Sequence, residues 1–299
     1  MALPFVAYYV GVAVVAVLSV GLNSYFATTL EPKGVKKISS DNSPPTRDPP
    51  VPTRSPKVFA LQVMHAAEND PAKDQLEADK ELFWKLFSHP LFLGGREIQR
   101  LETYTRLDTL AKIDDLSLSA ESGDTVLISI SSHGMQVKST EEPDGLAEYM
   151  VLKEAPLSDT DFSKWLAKLQ LGVRVYLFAS SCHGGGFLNA WQPFDWKANI
   201  ISFGVNEKDP NLIMPETMPY SLLGRCFSKI LNDSIKSGKI LSNGATIQKA
   251  KDIADQISAK AGPQYSDVTI GSIIITSSAS EQQDFLNSPF LAERGRQII

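Results

Sequence analysis

Six short apolar runs, separated by longer amphipathic stretches, constrain the fold of this chain more than any other feature. The runs are rich in branched residues, and most are continuously apolar, which is typical of strands covered on both faces of a sheet. They occupy residues 58–64, 98–103, 125–131, 173–180, 198–205 and 270–276. Such strands alternating with helices predict an α/β three-layer domain in which ligands bind at the carboxyl ends of the strands.

The stretches between these runs carry helical patterns. Residues 161–171 place four large apolar side chains at helical spacing, and polar residues 158–160 favour an N-terminal cap before them. Two further helices are predicted at residues 221–235 and 245–261. With 43% hydrophobic and 21% charged residues, the composition is that of a globular protein, which excludes wholesale disorder and a multi-span membrane architecture.

The N-terminus predicts a membrane anchor. Residues 3–30 contain no Asp, Glu, Lys, Arg or His, and about 20 apolar residues suffice to cross the hydrocarbon core. No basic residue precedes this run, which favours a retained transmembrane helix at residues 1–30 over a cleaved signal peptide, although residues 19–21 fit a cleavage site. Basic residues follow the span at Lys33, Lys36 and Lys37. The positive-inside rule therefore predicts a single-pass membrane protein whose C-terminal domain is cytosolic.

A Pro-rich segment separates the predicted anchor from the predicted domain. Six of the 18 prolines fall within residues 44–56, and proline at this density cannot donate hydrogen bonds to a helix or sheet. Residues 31–56 are therefore predicted to form an extended linker, and a polyproline ligand for an aromatic groove stays open as the alternative. The folded domain is predicted to span residues 57–299.

Charge and cysteine content exclude several classes of protein. A net charge of −5 argues against a nucleic-acid partner. Two cysteines cannot build a disulfide framework, and they fit a reducing compartment. Four scattered histidines and two cysteines lack the spacing of a zinc site, so no metal site is predicted.

Two of the predicted strands end in residues that can carry chemistry. Residues 131–134 are Ser-Ser-His-Gly, and residues 180–186 are Ser-Ser-Cys-His-Gly-Gly-Gly. A thiolate is a competent nucleophile, and a nearby imidazole lowers the thiol pKa and can protonate a leaving amine. We therefore expect Cys182 to be a nucleophile and His133 its general acid/base. The backbone N–H groups of Gly134 and Cys182 are expected to form an oxyanion hole, because glycine leaves room for a substrate oxygen.

The alternative interpretation is structural, since a single cysteine at a strand end is usually a small buried hydrophobe. His183 is expected to point away from Cys182 along extended backbone, and Cys226 is expected to pack within a helix. His65 and His89 have no evident partner in the sequence. An esterase and a nucleotide-binding loop are disfavoured, because no Gly-x-Ser-x-Gly, Walker or dinucleotide-binding motif occurs.

The two strand-end motifs resemble those of the caspase-like cysteine peptidases, and most closely those of metacaspases. Residues 132–134 resemble the family's Ser-His-Gly motif, and residues 180–185 are similar to its Asp-Ser-Cys-His-Ser-Gly element. The 49-residue interval from His133 to Cys182 matches the roughly 50-residue interval of caspases. Weaker similarities occur at residues 122–134, 148–155 and 262–266, and the Pro-rich stretch looks like the prodomain of type I metacaspases.

The resemblance implies a caspase-like three-layer sandwich with a mostly parallel six-stranded sheet, and a cysteine endopeptidase that acts on protein or peptide substrates. It implies no required cofactor, and calcium enters through the resemblance alone. Members that cleave after Arg or Lys carry an Asp two residues before the cysteine, where this chain has Ser180. Glu207 and Asp209 are candidates to supply that charge, and the preference for a basic residue stays open. The alternative function is a membrane-bound caspase-like interaction module that no longer cleaves.

Overall fold

The computed structural model describes residues 50–140, 142, 145–188, 194–205, 219–261, 268–276 and 279–292. Its strands are β1 (Val58–Met64), β2 (Ile98–Thr103), β3 (Thr125–Ser131), β4 (Gly134–Lys138), β5 (Leu146–Met150), β6 (Leu157–Ser158), β7 (Arg174–Ser180), β8 (Asn199–Val205) and β9 (Ile270–Ile275). Its helices are α1 (Lys73–Ser88), α2 (Pro90–Leu93), α3 (Arg106–Ser119), α4 (Asp159–Leu166), α5 (Leu222–Ser237), α6 (Asn243–Ala261) and α7 (Ala279–Asn287).

The six predicted apolar runs form one sheet with the strand order β2-β1-β3-β7-β8-β9. All neighbouring strands are parallel except β9, which runs antiparallel to β8. The predicted mostly parallel α/β sheet is therefore confirmed. Because parallel strands need long crossovers, this topology also explains why the runs are separated by helices.

Helices cover both faces of this sheet. On one face, α1, α2, α5, α6 and α7 pack in a core that includes Phe83, Phe178 and Phe227. On the other face, α3 and α4 pack in a second core that includes Ile113, Phe162 and Leu177. The central strands β3 and β7 are buried along their whole length, which is why their sequences are almost continuously apolar.

Two local details differ from the sequence-based expectation. Strands β4, β5 and β6 form a separate three-stranded antiparallel sheet that the apolar runs did not indicate. Helix α4 ends at Leu166 rather than at residue 171. Its predicted cap is confirmed, because the Ser158 side chain accepts a hydrogen bond from the Asp161 N–H at 3.0 Å.

The end of the predicted linker contacts the domain. The two terminal guanidinium nitrogens of Arg54 donate to Asp124 Oδ1 at 3.0 Å and to Oδ2 at 2.6 Å. Asp124 Oδ1 also accepts from the Lys57 N–H at 2.7 Å. The Asp124 side chain is only 1% exposed, so a buried carboxylate there needs this cation. Arg54, inside the predicted linker, is thus docked on the domain.

The predicted anchor at residues 1–30 and most of the predicted linker lie outside the described residues. Within the part of the chain that the structure describes, no helix combines the length and the apolar character needed to cross a membrane.

Candidate active site

The two strand-end motifs lie at the same edge of the large sheet. β3 and β7 are parallel neighbours, and their last residues, Ser131 and Ser180, pair in register. Beyond the strands, the Ser132 N–H donates to the Ser180 carbonyl oxygen at 3.4 Å. His133, Cys182 and Ser180 all line one depression at this edge. The remaining residues that line it are Ala72, Gln75, Leu76, Ser132, Ser181 and Ser221. Three of the predicted site residues are therefore brought together.

Gly134, the first residue of β4, lies directly against the backbone of Cys182. A Cβ at Gly134 would be 1.9 Å from the Cys182 carbonyl oxygen and 2.9 Å from its carbonyl carbon, so only glycine allows this approach. Gly134 is paired with Met150, and the Val151 N–H donates to the His133 carbonyl oxygen at 2.8 Å. Because bonded and non-bonded pairs alternate in an antiparallel ladder, the Gly134 N–H points away from β5. The two predicted oxyanion-hole donors thus belong to segments in direct contact.

The backbone turns sharply after Cys182. His183 adopts a left-handed conformation with φ 58°, and Gly184–Gly186 form a 3₁₀ turn. A Cβ at Gly184 would be 2.2 Å from the Ala179 carbonyl oxygen, so this glycine lets the turn fold back on β7. The extended backbone predicted through His183 is therefore wrong, and alternation along a strand does not determine where its side chain points. Cys182 itself is partly buried and forms no disulfide bond.

His133 contacts a carboxylate that the sequence did not indicate. Its Nε2 lies 2.7 Å from Oδ2 of Asp70, whose side chain is only 5% exposed. Asp70 lies in the connection between β1 and α1, and its Oδ1 accepts from the Ala72 N–H at 2.9 Å. β1 is the neighbour of β3 in the sheet, so this connection reaches the same edge as the His133 motif.

The other histidines that the sequence left without partners have identifiable surroundings. Burial lowers the pKa of His65, and Asp70, Lys153 and His133 lie close enough to act on it electrostatically. His89 caps α2, since its Nδ1 accepts from the Leu91 N–H at 3.2 Å. His89 is thus structural, whereas His65 borders the candidate site.

A second buried carboxylate, Asp79, lies behind the depression. The Ser180 hydroxyl donates a short hydrogen bond to Asp79 Oδ2, and the Ser221 N–H donates to Oδ1 at 3.1 Å. The hydroxyl oxygens of Ser180 and Ser221 are 2.8 Å apart. Gly224 makes room for the carboxylate, because a Cβ there would lie 2.1 Å from Asp79 Oδ1. Two serines that line the depression therefore connect it to a buried acid.

Burial raises the pKa of Asp79 to about 6, and hydrogen bonds from Ser180 and Ser221 oppose the shift without cancelling it. The folded state therefore binds this proton more tightly than the unfolded chain does. The sign follows from linkage: the contribution of Asp79 to stability is greatest below about pH 4 and is lost as pH rises toward 6.

We expect Asp79→Asn to remove this part of the pH dependence. The free energy of unfolding of wild type relative to the variant should fall by on the order of 3 kcal/mol between about pH 4 and pH 7, since one pKa unit is about 1.4 kcal/mol. Urea unfolding of the full chain at several pH values measures this difference. Asp74→Asn, which changes an exposed carboxylate on the same helix, is the control. A difference between wild type and Asp79→Asn that does not vary with pH would contradict the assignment.

Three further points concern Glu207 and Asp209, metal ligands and Cys226. Glu207 and Asp209 lie outside the described residues, so their proposed part in the pocket stays a prediction. Among the described residues, no group of three or more His, Cys, Asp and Glu side chains is arranged to hold a metal ion. Cys226 is fully buried in α5, as predicted for a packing residue.

Asp70 and Asp79 are the site residues that sequence reasoning missed. Asp79 gave a usable signal, because it interrupts the apolar face of α1 formed by Leu76, Phe83 and Leu86. A charge on such a face requires buried partners, which Ser180 and Ser221 provide. Asp70 gave a weaker signal. The sequence shows only that this carboxylate follows the first strand, at the edge where the carboxyl ends of the strands lie.

Comparison with known proteins supports the fold. No family profile and no curated protein matches the chain. The chain is similar to the crystal structure of protein GSU0716 from Geobacter sulfurreducens, with 19% sequence identity and a TM-score of 0.57. The match covers 80% of this chain and 99% of that one. This likeness shows the fold alone.

Proposed function

We propose that this protein is a cysteine endopeptidase in which Cys182 and His133 act as a dyad. The observation that carries the proposal is that both residues line one depression, with Gly134 packed against the backbone of Cys182. A nucleophile, a base and two backbone N–H donors at one sheet edge fit acyl transfer. The family resemblance of the two motifs supports the same reaction and a caspase-like version of this α/β fold.

In the proposed reaction, His133 takes the Cys182 proton, and the sulfur attacks the carbonyl carbon of the peptide bond. The N–H groups of Gly134 and Cys182 stabilise the oxyanion. His133 then donates the proton to the leaving amine, which gives a thioester on Cys182 and the free amino product. Water loses a proton to His133 and attacks the thioester, and the acid product leaves as the thiol is restored.

The test is hydrolysis of a peptide library by the full chain, together with labelling by a thiol-reactive peptide. Hydrolysis and exclusive attachment of the peptide to Cys182 would support the proposal. Attachment without hydrolysis would favour the inactive interaction module, and the absence of both would contradict a competent dyad.

We propose further that the depression prefers a basic residue before the scissile bond. Ser180 lacks the charge that the resemblance leads us to expect, but its hydroxyl donates to Asp79, so a carboxylate lies directly behind it. A second carboxylate at position 180 would lie against Asp79 in a dry site, where two like charges disfavour each other. This contact explains why serine at position 180 is compatible with a basic preference.

We expect the preference for arginine over its neutral isostere citrulline to increase as pH rises through about 6, because Asp79 ionises there. The quantity to measure is the ratio of kcat/KM for matched peptides, since kcat/KM reports ionisations of the free enzyme and the ratio cancels those of the dyad. The expected rise is about tenfold, which corresponds to about 1.4 kcal/mol.

Asp79→Asn should flatten this pH dependence, whereas the control Asp74→Asn should leave it intact. A ratio that does not change with pH in wild type, or one that Asp79→Asn leaves unaltered, would show that the charge comes from elsewhere, such as Glu207 or Asp209.

The proposal places the enzyme at a membrane. The uncharged residues 3–30 and the lysines that follow them support a single-pass anchor with the peptidase domain on the cytosolic side.

A further inference from the structure

The Asp70 carboxylate is held so that each oxygen has a fixed role. Oδ1 accepts from the Ala72 N–H at 2.9 Å, at the start of α1, and Oδ2 lies 2.7 Å from His133 Nε2. The backbone around it is also fixed, because the Asp70 N–H donates to Ala67 and the Asp70 carbonyl accepts from Lys73. With its side chain 5% exposed, Asp70 has little freedom to turn away from His133.

This contact determines which ring nitrogen of His133 carries the proton. An ionised carboxylate is only an acceptor, so Nε2 must be the donor, and in the neutral imidazole Nδ1 is then the only nitrogen with a lone pair. We propose that Asp70 is the positioning residue of the dyad, which holds His133 in its Nε2–H tautomer so that Nδ1 exchanges the proton with Cys182. This inference rests on the proposed dyad and adds its third member.

Asp70 also stabilises the charged form of the base. When Nδ1 takes the thiol proton, the imidazolium keeps its Nε2–H bond to Asp70, whose side chain is 5% exposed while that of His133 is 36% exposed. The bond then joins opposite charges, and such charge-assisted hydrogen bonds are stronger than neutral ones. His65 is the other ring close to Asp70, with Lys153 nearby, but burial lowers the pKa of His65 and so favours its neutral form. The Asp70 oxygen that the Ala72 N–H does not hold therefore faces His133.

Asp70→Asn is designed to change the tautomer of His133 without disturbing the local fold. Asparagine accepts a hydrogen bond from the backbone N–H two residues on as aspartate does, in an Asx turn, so the bond from the Ala72 N–H can persist. That bond fixes the orientation of the amide, because only the amide oxygen can accept from Ala72. The NH₂ group must then face His133 and donate to Nε2, which forces the proton onto Nδ1. One atom changes, and the tautomer is reversed.

The experiment uses the full chain labelled with ¹⁵N-histidine, which contains four histidines. The ring signals of His133 are assigned by their loss in His133→Ala, and ¹⁵N chemical shifts at neutral pH report which nitrogen carries the proton. We expect Nε2–H in wild type and Nδ1–H in Asp70→Asn. We also expect kcat to fall at least about 10²-fold with KM little changed, since a positioned base contributes on that scale. Asp74→Asn should change neither quantity.

The two measurements distinguish the inference from the proposed function. A reversed tautomer without peptide hydrolysis by wild type would support Asp70 and contradict the peptidase. Full hydrolysis by Asp70→Asn with the Nε2–H tautomer would overturn the role of Asp70 and leave the peptidase in place. If Asp70→Asn fails to fold, the wild-type spectrum still decides, because an Nδ1–H tautomer there contradicts the proposal and an Nε2–H tautomer supports it.

Discussion

Replacement of Cys182 by alanine is expected to abolish peptide hydrolysis, because in the proposed reaction the thiolate is the group that bonds to the substrate carbon. Loss of the nucleophile of a serine protease triad lowers kcat by a factor on the order of 10⁶. His133→Ala should lower kcat at least about 10²-fold, since the thiol would then lose both its base and the acid that protonates the leaving amine. Turnover of the best library peptide by the full chain measures both effects.

The chain offers a matched control in its other cysteine. Cys226 is fully buried in α5, and burial raises the pKa of its thiol to about 12, so it is protonated at neutral pH and inert toward alkylation. Cys226→Ala should therefore retain full activity, and iodoacetamide should inactivate this variant as fast as wild type. Residual hydrolysis by Cys182→Ala, or loss of activity in Cys226→Ala alone, would contradict the assignment of the nucleophile.

The large sheet was predictable because its strands are buried on both faces. A strand such as β7 presents apolar residues to helices on either side, so its sequence is a continuous run that stands out from amphipathic neighbours. β4 and β5 were not predictable in this way, because each is only five residues long and β4 has no buried residue. Short strands of that kind are stabilised by pairing with each other, and the pairing between β4 and β5 produces no recognisable hydrophobic pattern in the sequence.

The candidate site was predictable where its residues directly follow strands. His133 and Cys182 could be placed together because parallel neighbours end at one edge, and this argument needs no knowledge of side-chain contacts. Asp70 and Asp79 act through contacts 63 and 101 residues away along the chain, with His133 and Ser180. Contacts between residues so far apart in the sequence depend on how α1 and the segment before it pack on the sheet. Composition and periodicity do not specify that packing.

The surroundings of Ser180 include a carboxyl group that position-by-position comparison of sequences does not reveal. Asp79 lies one hydrogen bond away from Ser180, on a different element. Gly224 and Ser221 on the α5 side make room for it and satisfy it, so the carboxylate is supported on both sides. A comparison of sequences aligns positions along the chain, whereas a proposed preference for basic substrates depends on where a carboxyl group lies in space.

Gly134→Ala is expected to cause the second largest loss of activity. Its new Cβ would be 1.9 Å from the Cys182 carbonyl oxygen and 3.2 Å from the Cys182 nitrogen, and these are backbone atoms that cannot rotate away. The two segments must separate by about an ångström or more, which moves both oxyanion-hole donors and the nucleophile. Loss of one such donor costs about 10²- to 10³-fold, and a 1 Å misplacement costs about 10²-fold, so we expect kcat/KM to fall at least 10³-fold.

Gly244→Ala provides the control, since its new Cβ would lie 3.5 Å from the Leu286 carbonyl oxygen, an ordinary contact, in the first turn of α6. This variant should keep full activity, whereas Gly134→Ala should lose it with a stability cost of about 1 to 3 kcal/mol, typical of overpacking. Urea unfolding of both variants separates that cost from the catalytic loss. If Gly134→Ala folds and cleaves peptides at nearly the wild-type rate, the Gly134 N–H cannot be an oxyanion donor. The close approach of β4 to Cys182 would then serve packing alone. Catalysis that survives the separation of Gly134 from Cys182 does not depend on an oxyanion hole formed by their two N–H groups.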